Sequence, residues 1–441
     1  MYEYVSVGDR KQLKISPETR GGNFDRGIGR NGVIMNLQQL FAERIGGASF
    51  GLSNEIYKFE KIKRAKAAAR QSHPEVELLD FGVGEPDRPA PAPIRRALKK
   101  AVDDPANRGY ADNGIREFKA AAARYMREFF GVADLDPETE IVHSIGSKPA
   151  LAMLPLCFIN PGDVALATVP GYPVLGTHTR YLGGTVVKVP LRKENDFLPD
   201  LAAIDGDLAR RAKLFYVNYP NNPTGAAATP EFFDRLIAFA RANNILIVQD
   251  AAYATLVFNR QPLSILCRPG GKEVAVELHS MSKSYNMTGW RLGFVAGAAR
   301  AVQAYAEVKD NMDSGQFKAI QLAACAGIAD RALADRICRH YQRRLVKMVR
   351  CLQAAGFDAR MPGGTFYLYV PAPKGAGAQD WRTAEEASQY LIRERLISTV
   401  PWDDAGAYLR FSATFESAGD GDDNRVIEEL GRRLARAQLR F

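Results

Sequence analysis

The sequence contains few cysteines and histidines, and it lacks any long uninterrupted apolar run. Its five cysteines include no C-x-x-C pair, so they predict reduced thiols in a cytoplasmic protein and argue against a disulfide framework. The five histidines are scattered without the spacing of metal ligands. No apolar run approaches the roughly 18 residues of a membrane helix, and the N-terminus lacks the apolar core of a secretory signal. We therefore expect a cytoplasmic protein that binds neither a metal nor a membrane.

A formal net charge of +9 raises the question of nucleic-acid binding. Many of the basic residues recur at helical spacing within 336–350 and 432–440. This spacing is typical of solvated helix faces rather than of a groove lined with stacking aromatic residues. We therefore predict no nucleic-acid partner, and the positive charge fits small anionic ligands at least as well.

The middle of the chain alternates between apolar, β-branched stretches and helical patterns. The predicted strands are 164–169, 186–189, 214–218, 245–249, 274–278 and 292–296. Buried strands that alternate with helices predict an α/β fold, with a mostly parallel sheet covered by helices on both faces. In such sheets, ligands bind at the carboxyl ends of the strands.

The length of 441 residues allows two domains and a terminal arm. A helical region at about 302–355, followed by strands at 367–370 and 409–413, predicts a smaller α+β domain. The predicted divisions are an N-terminal arm at 1–50, the first part of the small domain at 51–89, a large domain at 90–320 and the rest of the small domain at 321–441.

Residues 27–32, GIGRNG, match the dinucleotide-binding fingerprint letter by letter. That motif requires a strand before it and a helix after it. The preceding residues, GGNFDR, do not have the pattern of a strand. A nucleotide-binding oxidoreductase is therefore a less favoured alternative.

Residues 279–294, HSMSKSYNMTGWRLGF, place Lys283 among serines directly after a predicted buried strand. A buried lysine must be paired or neutralised, and a desolvated amine can form a Schiff base with a carbonyl. Ser280, Ser282 and Arg291 offer hydroxyl groups and a guanidinium fork that suit a phosphate. A lysine beside a phosphate clamp indicates pyridoxal phosphate, and a solvated loop with an incidental lysine is the plainer alternative.

Two more strand ends carry polar side chains that such a cofactor needs. Asp250 ends the strand 245–249, where a carboxylate can keep a pyridine nitrogen protonated, and Tyr253 could bind the ring hydroxyl. Asn222 lies in NYPNNPTG, a turn that two prolines and a glycine make rigid. An N-cap aspartate, a packed aromatic residue and an ordinary turn are the plainer alternatives.

Another strand end and a helix start complete the set. Tyr172, in the motif PGYP after the strand 164–169, offers an aromatic face that could stack on the ring. Ser147 and Lys148 follow Gly146 at a predicted helix start, where backbone N–H groups and a hydroxyl suit a phosphate. A capping serine without a ligand is the alternative there.

In this order and combination, S-x-S-K with a following arginine, N-P-T-G, D-x-x-Y and P-G-Y-P resemble the fold-type I aminotransferases of class I/II, over about residues 79–415. Four stretches, YKF at 57–59, GVGEP at 82–86, GSK at 146–148 and DSGQ at 313–316, resemble the LL-diaminopimelate aminotransferases, one branch of that family. The resemblance implies a pyridoxal 5′-phosphate enzyme that works as a homodimer with shared active sites.

The resemblance also implies a role for each matching residue. Lys283 would form the Schiff base and carry the substrate proton, while Asp250 would pair with the ring nitrogen. The other implied cofactor contacts are Tyr253 and Asn222 at the ring hydroxyl, Tyr172 on the ring face, and Ser147, Lys148, Ser280, Ser282, Arg291 and the partner's Tyr110 at the phosphate. The implied substrate contacts are Arg410 at the α-carboxylate, the backbone of Gly84, Asn222 and Tyr57.

The expected function is transfer of an amino group between an amino acid and a 2-oxo acid such as 2-oxoglutarate, with lysine biosynthesis as the expected pathway. In the diaminopimelate enzymes an asparagine contacts cofactor and substrate where this chain has Ser314, which leaves the amino donor open. The alternatives are a transaminase for aromatic, alanine or dicarboxylic substrates, a pyridoxal-dependent lyase and a pyridoxal-binding regulator. A regulator would carry an added DNA-binding module, for which residues 1–50 are too short and too rich in glycine.

Overall fold

The structure, a computed structural model, describes residues 36–52 and 58–441. Residues 36–52 contain the 3₁₀ turns Leu37–Leu40, Glu43–Ile45 and Gly47–Ser49. The side-chain amide of Gln38 donates to the carbonyl oxygens of Ala48 at 2.9 Å and Phe50 at 2.8 Å, which ties these turns together. The motif at 27–32 and the predicted substrate contact Tyr57 lie outside the described residues.

Residues 58–441 contain most of the secondary structure. The α-helices are α1 (Lys58–Ser72), α2 (Ala92–Val102), α3 (Arg116–Phe130), α4 (Ser147–Phe158), α5 (Val174–Tyr181), α6 (Gly206–Arg211), α7 (Pro230–Asn243), α8 (Gly271–Val274), α9 (Met281–Ser284), α10 (Ala299–Asp310), α11 (Lys318–Cys325), α12 (Arg331–Ala354), α13 (Ala384–Arg395) and α14 (Asp422–Ala435). The strands are β1 (Leu79–Asp80), β2 (Ile141–Ser144), β3 (Val164–Val169), β4 (Thr185–Pro190), β5 (Ala212–Asn218), β6 (Leu246–Asp250), β7 (Ala275–Ser280), β8 (Gly293–Gly297), β9 (Tyr367–Pro371), β10 (Gly375–Ala376), β11 (Gln379–Asp380), β12 (Ile397–Ser398), β13 (Val400–Trp402), β14 (Tyr408–Ser412) and β15 (Leu439–Arg440). Single 3₁₀ turns lie at Pro105–Arg108, Lys193–Asn195, Ile265–Cys267 and Thr288–Trp290.

The central sheet has the strand order β2-β8-β7-β6-β5-β3-β4. The strands from β7 to β4 pair in parallel, whereas β8 pairs antiparallel with both β7 and β2. Successive side chains of a strand point to opposite faces. Accordingly, Phe215 and Val217 of β5 join the core that contains α3 and α7, while Leu214 and Tyr216 join the core that contains α4 and α10. The predicted mostly parallel sheet with helices on both faces is confirmed.

Local signals in the sequence set the length of α7, which separates β5 from β6. The Thr229 hydroxyl accepts a hydrogen bond from the N–H of Phe232 at 3.2 Å, and Pro230 occupies the first turn. The helix ends at Asn243, and the following Asn244 has a φ of 54°, in the left-handed region. The chain then enters β6, which ends at Asp250.

The predicted helical region at 302–355 consists of the three helices α10, α11 and α12. The first break contains Gly315 with a φ of 81°, and a Cβ there would lie 2.6 Å from the backbone of Ala111. Only glycine adopts that conformation at such close approach. After the second break, the Asp330 carboxylate caps α12 by accepting from the N–H of Ala332 at 2.9 Å.

Three smaller sheets accompany the central one. Their orders are β13-β14-β9, β1-β12 and β11-β10-β15. Leu79 and Phe81, near β1, pack in the same core as Leu409 and Phe411 of β14. The division of the chain near residues 90 and 320 into two domains stays a prediction. Within the described ranges, no helix combines the length and apolarity that crossing a membrane requires.

Arg344 of α12 is a buried cation that ties several segments of the second core together. Its guanidinium donates to the Asp423 carboxylate at 2.8 Å and to the carbonyl oxygens of Ala413 at 2.8 Å and Phe415 at 2.9 Å. A further carboxylate oxygen, from Asp87 in the loop after β1, lies 3.2 Å from Nη2. Loss of this one side chain would leave two carboxylates buried without their cation.

We therefore predict that Arg344→Leu lowers the free energy of unfolding by about 3 kcal/mol or more, because breaking a buried ion pair leaves uncompensated charge. The measurement is urea unfolding followed by circular dichroism. The matched control is Arg343→Leu, since Arg343 pairs with Asp420 at the surface with more than half of its side chain exposed and should contribute at most about 1 kcal/mol. Equal effects of the two substitutions would contradict the assignment.

Candidate active site

A cleft of about 610 Å³ opens at the carboxyl ends of β3, β5, β6 and β7. It brings together twelve of the residues that the sequence predicts for the site. These are Gly84, Ser147, Lys148, Tyr172, Asn222, Asp250, Tyr253, Ser280, Ser282, Lys283, Arg291 and Arg410. Tyr110 does not line this cleft, and Tyr57 is outside the described residues.

The parallel pairing explains why these segments meet. Asn218 lies opposite Asp250 in the β5–β6 ladder, and Asp250 lies opposite Leu278 in the β6–β7 ladder. Because the three strands run in the same direction, their carboxyl ends share one edge of the sheet. The residues that follow each strand therefore point toward a common space.

Lys283 lies on the single helical turn α9, directly after β7. The Ser280 hydroxyl caps this turn by accepting from the N–H of Ser282 at 3.2 Å. The Lys283 Nζ donates to the carbonyl oxygen of Gly84 at 2.6 Å. The lysine amine is thus held against the opposite wall of the cleft.

Burial lowers the pKa of Lys283 to about 8, because desolvation disfavours the charged amine. The positive charges of Arg291 and Arg410 act in the same direction, while the negative charge of Glu85 opposes them. The lowered pKa increases the fraction of the lysine that is present as the free amine near neutral pH. A free amine is a nucleophile toward carbonyl carbons and a base toward carbon acids.

Asp250 is buried at the end of β6, 5% exposed. Burial raises its pKa to about 6, although the N–H of Ala252, at 3.2 Å, and the Tyr216 hydroxyl, at 3.4 Å, donate to the carboxylate and favour its charged form. Asn218 donates to the backbone carbonyl of Asp250 at 2.7 Å and fixes the strand end. A buried carboxylate of this kind suits a cationic group of a ligand.

The turn after β5 aims the Asn222 side chain into the cleft. The N–H of Asn222 donates to the side-chain oxygen of Asn218 at 2.8 Å, and Gly225 has a φ of 72°. The side-chain oxygen of Asn222 accepts from the Arg410 Nη1 at 2.9 Å. The rigid turn that the sequence predicts therefore connects the strand end to an arginine on β14.

Arg410 is 4% exposed and has its charge directed at the cleft. Its Nη2 donates to the carbonyl oxygen of Gly82 at 3.0 Å, and its guanidinium lies 4.0 Å from the ring centroid of Tyr367. The Nε has no hydrogen-bond partner among the described residues. The groups that contact the guanidinium, those of Asn222, Gly82 and Tyr367, include no carboxylate, so an anionic ligand can take that place.

Arg291 is a second cationic group that lines the cleft. The Nη1 of Arg291 donates to the carbonyl oxygen of Thr288 at 2.7 Å and to the Ser282 hydroxyl at 3.2 Å. Gly146 before α4 has a φ of 76°, which favours glycine, and a Cβ there would displace the Arg291 guanidinium. The Ser147 hydroxyl, at the start of α4, is buried without a hydrogen-bond partner among the described residues. Helix N-terminus, hydroxyls and guanidinium form a cradle for a phosphate-like anion.

Tyr367 is a residue of the cleft that the sequence reasoning did not identify. Its hydroxyl lies 3.1 Å from the hydroxyl of Tyr253, and a Cβ at Gly84 would lie 2.7 Å from it. Burial raises the pKa of Tyr253 well above its ordinary value. The only signal for Tyr367 in the sequence was its membership of a predicted strand, which does not distinguish a site residue from a packed one.

Tyr110 and Ser314 lie outside the lining of the cleft. Tyr110 is 81% exposed, and Ser314 is exposed as well. The segments that carry them are joined, because Lys309 donates to the carbonyl oxygen of Asp112 and to the Asp313 carboxylate. Both residues therefore belong to one part of the surface.

Comparisons with known proteins agree with this geometry. The family model for aminotransferase class I and II matches residues 76–418. The chain is 54% identical to the LL-diaminopimelate aminotransferase of Methanocaldococcus jannaschii over 413 residues. This alignment covers 92% of this chain and 99% of that protein. It is 44% identical to LL-diaminopimelate aminotransferase 2 of a Nostoc species, over 87% of this chain and 97% of that protein.

Solved structures share the fold. Substrate-bound BacF from Bacillus subtilis superposes with a TM-score of 0.80 at 30% identity, over 88% of this chain and 97% of that one. A probable N-succinyldiaminopimelate aminotransferase from Thermus thermophilus gives a TM-score of 0.77 at 30% identity, over 86% of this chain and all of that one. The chain therefore belongs to the aminotransferase class I and II family and is a transaminase, which confirms the family and enzyme class that its motifs predict.

Proposed function

We propose that the cleft binds pyridoxal 5′-phosphate through Lys283 and moves an amino group between an amino acid and a 2-oxo acid. The observation that carries the proposal is that Lys283 and Asp250 line one cleft, at the ends of the adjacent parallel strands β7 and β6. Enzymes of this family depend in general on that cofactor.

The residues at one end of the cleft fit the phosphate group. Arg291 would bind it through the guanidinium, and Ser147 would donate the hydroxyl that has no other partner among the described residues. Ser280, Ser282 and Lys148, which also line the cleft, would complete the anion site.

The residues in the middle of the cleft fit the ring. Asp250 would accept a hydrogen bond from the protonated ring nitrogen, which supplies the cation that the buried carboxylate lacks. Tyr172 would cover one face of the ring, while Tyr253 and Asn222 would contact the ring hydroxyl. When bound, the cofactor supplies a conjugated ring that accepts electrons from the α-carbon of an attached amino acid.

Lys283 would act both as the point of attachment and as the proton carrier. An amine whose pKa lies near the operating pH can accept a proton from carbon and return it. Burial and the neighbouring arginines lower the pKa of Lys283 to about 8, which suits this role. The carbonyl oxygen of Gly84 would hold the released amine near the substrate, since it accepts from Nζ at 2.6 Å.

Arg410 would bind the substrate α-carboxylate. Its guanidinium is already oriented by Asn222, by the carbonyl oxygen of Gly82 and by the ring of Tyr367. A preoriented guanidinium binds a carboxylate with two parallel hydrogen bonds. The same arginine would serve both the amino acid and the 2-oxo acid, because both carry that carboxylate.

We further propose a homodimer, in which the partner's Tyr110 contacts the phosphate. Enzymes of this family usually work as homodimers. The high exposure of Tyr110 and its absence from the cleft lining of its own chain support a role in a second subunit.

For the substrates, we propose LL-diaminopimelate as amino donor and 2-oxoglutarate as acceptor, which is a step of lysine biosynthesis. Support comes from the names of relatives that are 54% and 44% identical over nearly their whole length. The serine at position 314, where the diaminopimelate enzymes are expected to have an asparagine, is the feature that favours testing other donors. A transaminase of different substrate range, a lyase and a regulator are the alternatives.

We predict that Lys283→Ala lowers the transamination rate by about a thousandfold or more, since nucleophile and base are lost together. The visible absorbance of lysine-bound cofactor should disappear as well. Lys188→Ala, which changes an exposed lysine on the edge strand β4, is the matched control and should behave as the unchanged protein. A Lys283→Ala protein that keeps its rate would overturn the proposal.

A panel of amino donors with 2-oxoglutarate distinguishes the substrate proposals. We predict that glutamate forms fastest with LL-diaminopimelate, compared at equal concentration with aspartate, alanine and phenylalanine. Release of ammonia or carbon dioxide without glutamate would identify a lyase instead. Cofactor binding without turnover of any donor would favour a regulator.

Asp250 gives a prediction for protein from which the cofactor has been removed. Burial raises the pKa of Asp250 from 3.8 to about 6 in the folded state, so folding favours the protonated carboxyl. The resulting stabilisation is complete below the unfolded pKa and is lost as the pH rises from about 4 to about 6. Above that range, the buried charge costs on the order of 3 kcal/mol.

Asp250→Asn should therefore raise the unfolding temperature of the cofactor-free protein at pH 8 more than at pH 4.5. The control is Asp163→Asn, because hydrogen bonds from Lys213 and from the backbone N–H of Asn160 lower the pKa of Asp163. That substitution should lower the unfolding temperature at pH 8. A pH-independent effect of Asp250→Asn would show that the carboxyl is not held in its raised-pKa state.

A further inference from the structure

We propose that Gln316 is a positioning residue for Arg291, and that it sets the affinity of the cleft for the phosphate end of its cofactor. This inference rests on the proposed function, because it assigns the anion that Arg291 binds. Gln316 does not line the cleft, so it acts only through the residues that it holds.

The side-chain amide of Gln316 contacts the backbone on which Arg291 is mounted. Its Nε2 donates to the carbonyl oxygen of Trp290 at 2.7 Å and to that of Arg291 at 2.8 Å. The two N–H groups of this one amide nitrogen therefore hold two successive backbone carbonyl groups. This contact fixes the direction in which the chain leaves the 3₁₀ turn Thr288–Trp290 and enters β8.

That stretch of backbone needs an external support. Arg291 has a φ of 57°, in the left-handed backbone region that residues other than glycine rarely adopt. The conformation directs the guanidinium back toward Ser282 and against Gly146, where a Cβ would collide with it. Relaxation of residue 291 to an ordinary φ would turn its side chain away from the phosphate end of the cleft.

The opposite end of the Gln316 amide is fixed by His143 of β2. Burial lowers the pKa of His143 to about 4, so its ring is neutral at physiological pH. Its Nε2 lies 3.0 Å from the Oε1 of Gln316, and the two carbonyl contacts require the other amide atom to be the nitrogen. His143 therefore donates from Nε2, which leaves the amide one orientation.

The backbone of Gln316 is anchored as well. Its carbonyl oxygen accepts from the Nε2 of Gln321 at 2.9 Å, and the Oε1 of Gln321 accepts from the N–H of Ile115 at 2.9 Å. Gly315 packs directly on the backbone of Ala111. The backbone of Gln316 is thus held in place by its neighbours while its side chain contacts Arg291. A positioning residue requires such support.

The test compares the affinity of cofactor-free protein for pyridoxal 5′-phosphate and for pyridoxal, which lacks the phosphate. We expect Gln316→Met to raise the Kd for pyridoxal 5′-phosphate about tenfold, the effect of losing two hydrogen bonds, and to leave the Kd for pyridoxal within about twofold of the unchanged protein. Gln353→Met is the matched control, since Gln353 also donates to a backbone carbonyl, that of Ala359, away from the cleft.

A double-variant cycle then asks whether Gln316 acts through Arg291. Arg291→Met with Gln316→Met should weaken the binding of pyridoxal 5′-phosphate no more than Arg291→Met alone, because the positioned group is already gone. Additive losses, or an equal loss of pyridoxal affinity, would overturn the inference. If Gln316→Met does not fold, Gln316→Glu keeps the oxygen that faces His143 and removes the donor. Additive losses, or an equal loss of pyridoxal affinity, would then overturn the inference in the same way.

The wild-type protein separates this inference from the proposed function. If it takes up no pyridoxal 5′-phosphate at Lys283, as judged by borohydride reduction and peptide mapping, the proposed function fails. If it does, and Gln316→Met binds the two compounds in the unchanged ratio, only the role of Gln316 fails.

Discussion

The parallel register of β5, β6 and β7 is the constraint on which the cleft depends. Asn218 lies opposite Asp250, and Asp250 lies opposite Leu278, so each strand end has a set distance from its neighbours. These strands are buried on both faces, and a slip by one residue would exchange the side chains of the two cores. The packing that stabilises the sheet therefore also fixes the distance between Asp250 and the turn that carries Lys283.

Burial acts on these two groups in opposite directions. It lowers the pKa of Lys283 to about 8 and raises that of Asp250 to about 6, because in each case it favours the neutral form. The Asp250 carboxylate receives hydrogen bonds from Ala252 and Tyr216, neither of which is a cation. A ligand that brings a cation to the aspartate and an anion to Arg291 would offset part of the desolvation of both groups.

The sequence predicts the sheet edge well because its signals are local. A polar residue that follows an apolar strand can be read from a few neighbours, and Asp250, Asn222 and Lys283 were found in that way. The sequence did not identify Tyr367 or the proposed role of Gln316. Tyr367 contacts Tyr253 and Gln316 contacts the backbone of Arg291, and both partners are far away in the chain. Local patterns also do not show where a long helical region breaks, since the breaks depend on close approaches that only the folded chain makes.

The two ends of the cleft differ in how far apart in the sequence their residues lie. The anion cradle and the lysine come from strand ends and helix starts around one sheet edge, whereas the surroundings of Arg410 combine Gly82, Asn222 and Tyr367 with β14, from four separate segments. A change in any one of those segments can reshape the substrate end without moving the lysine. The chemistry of the cleft is therefore easier to infer from sequence than the amino donor, because one sheet edge determines the first and several independent segments determine the second.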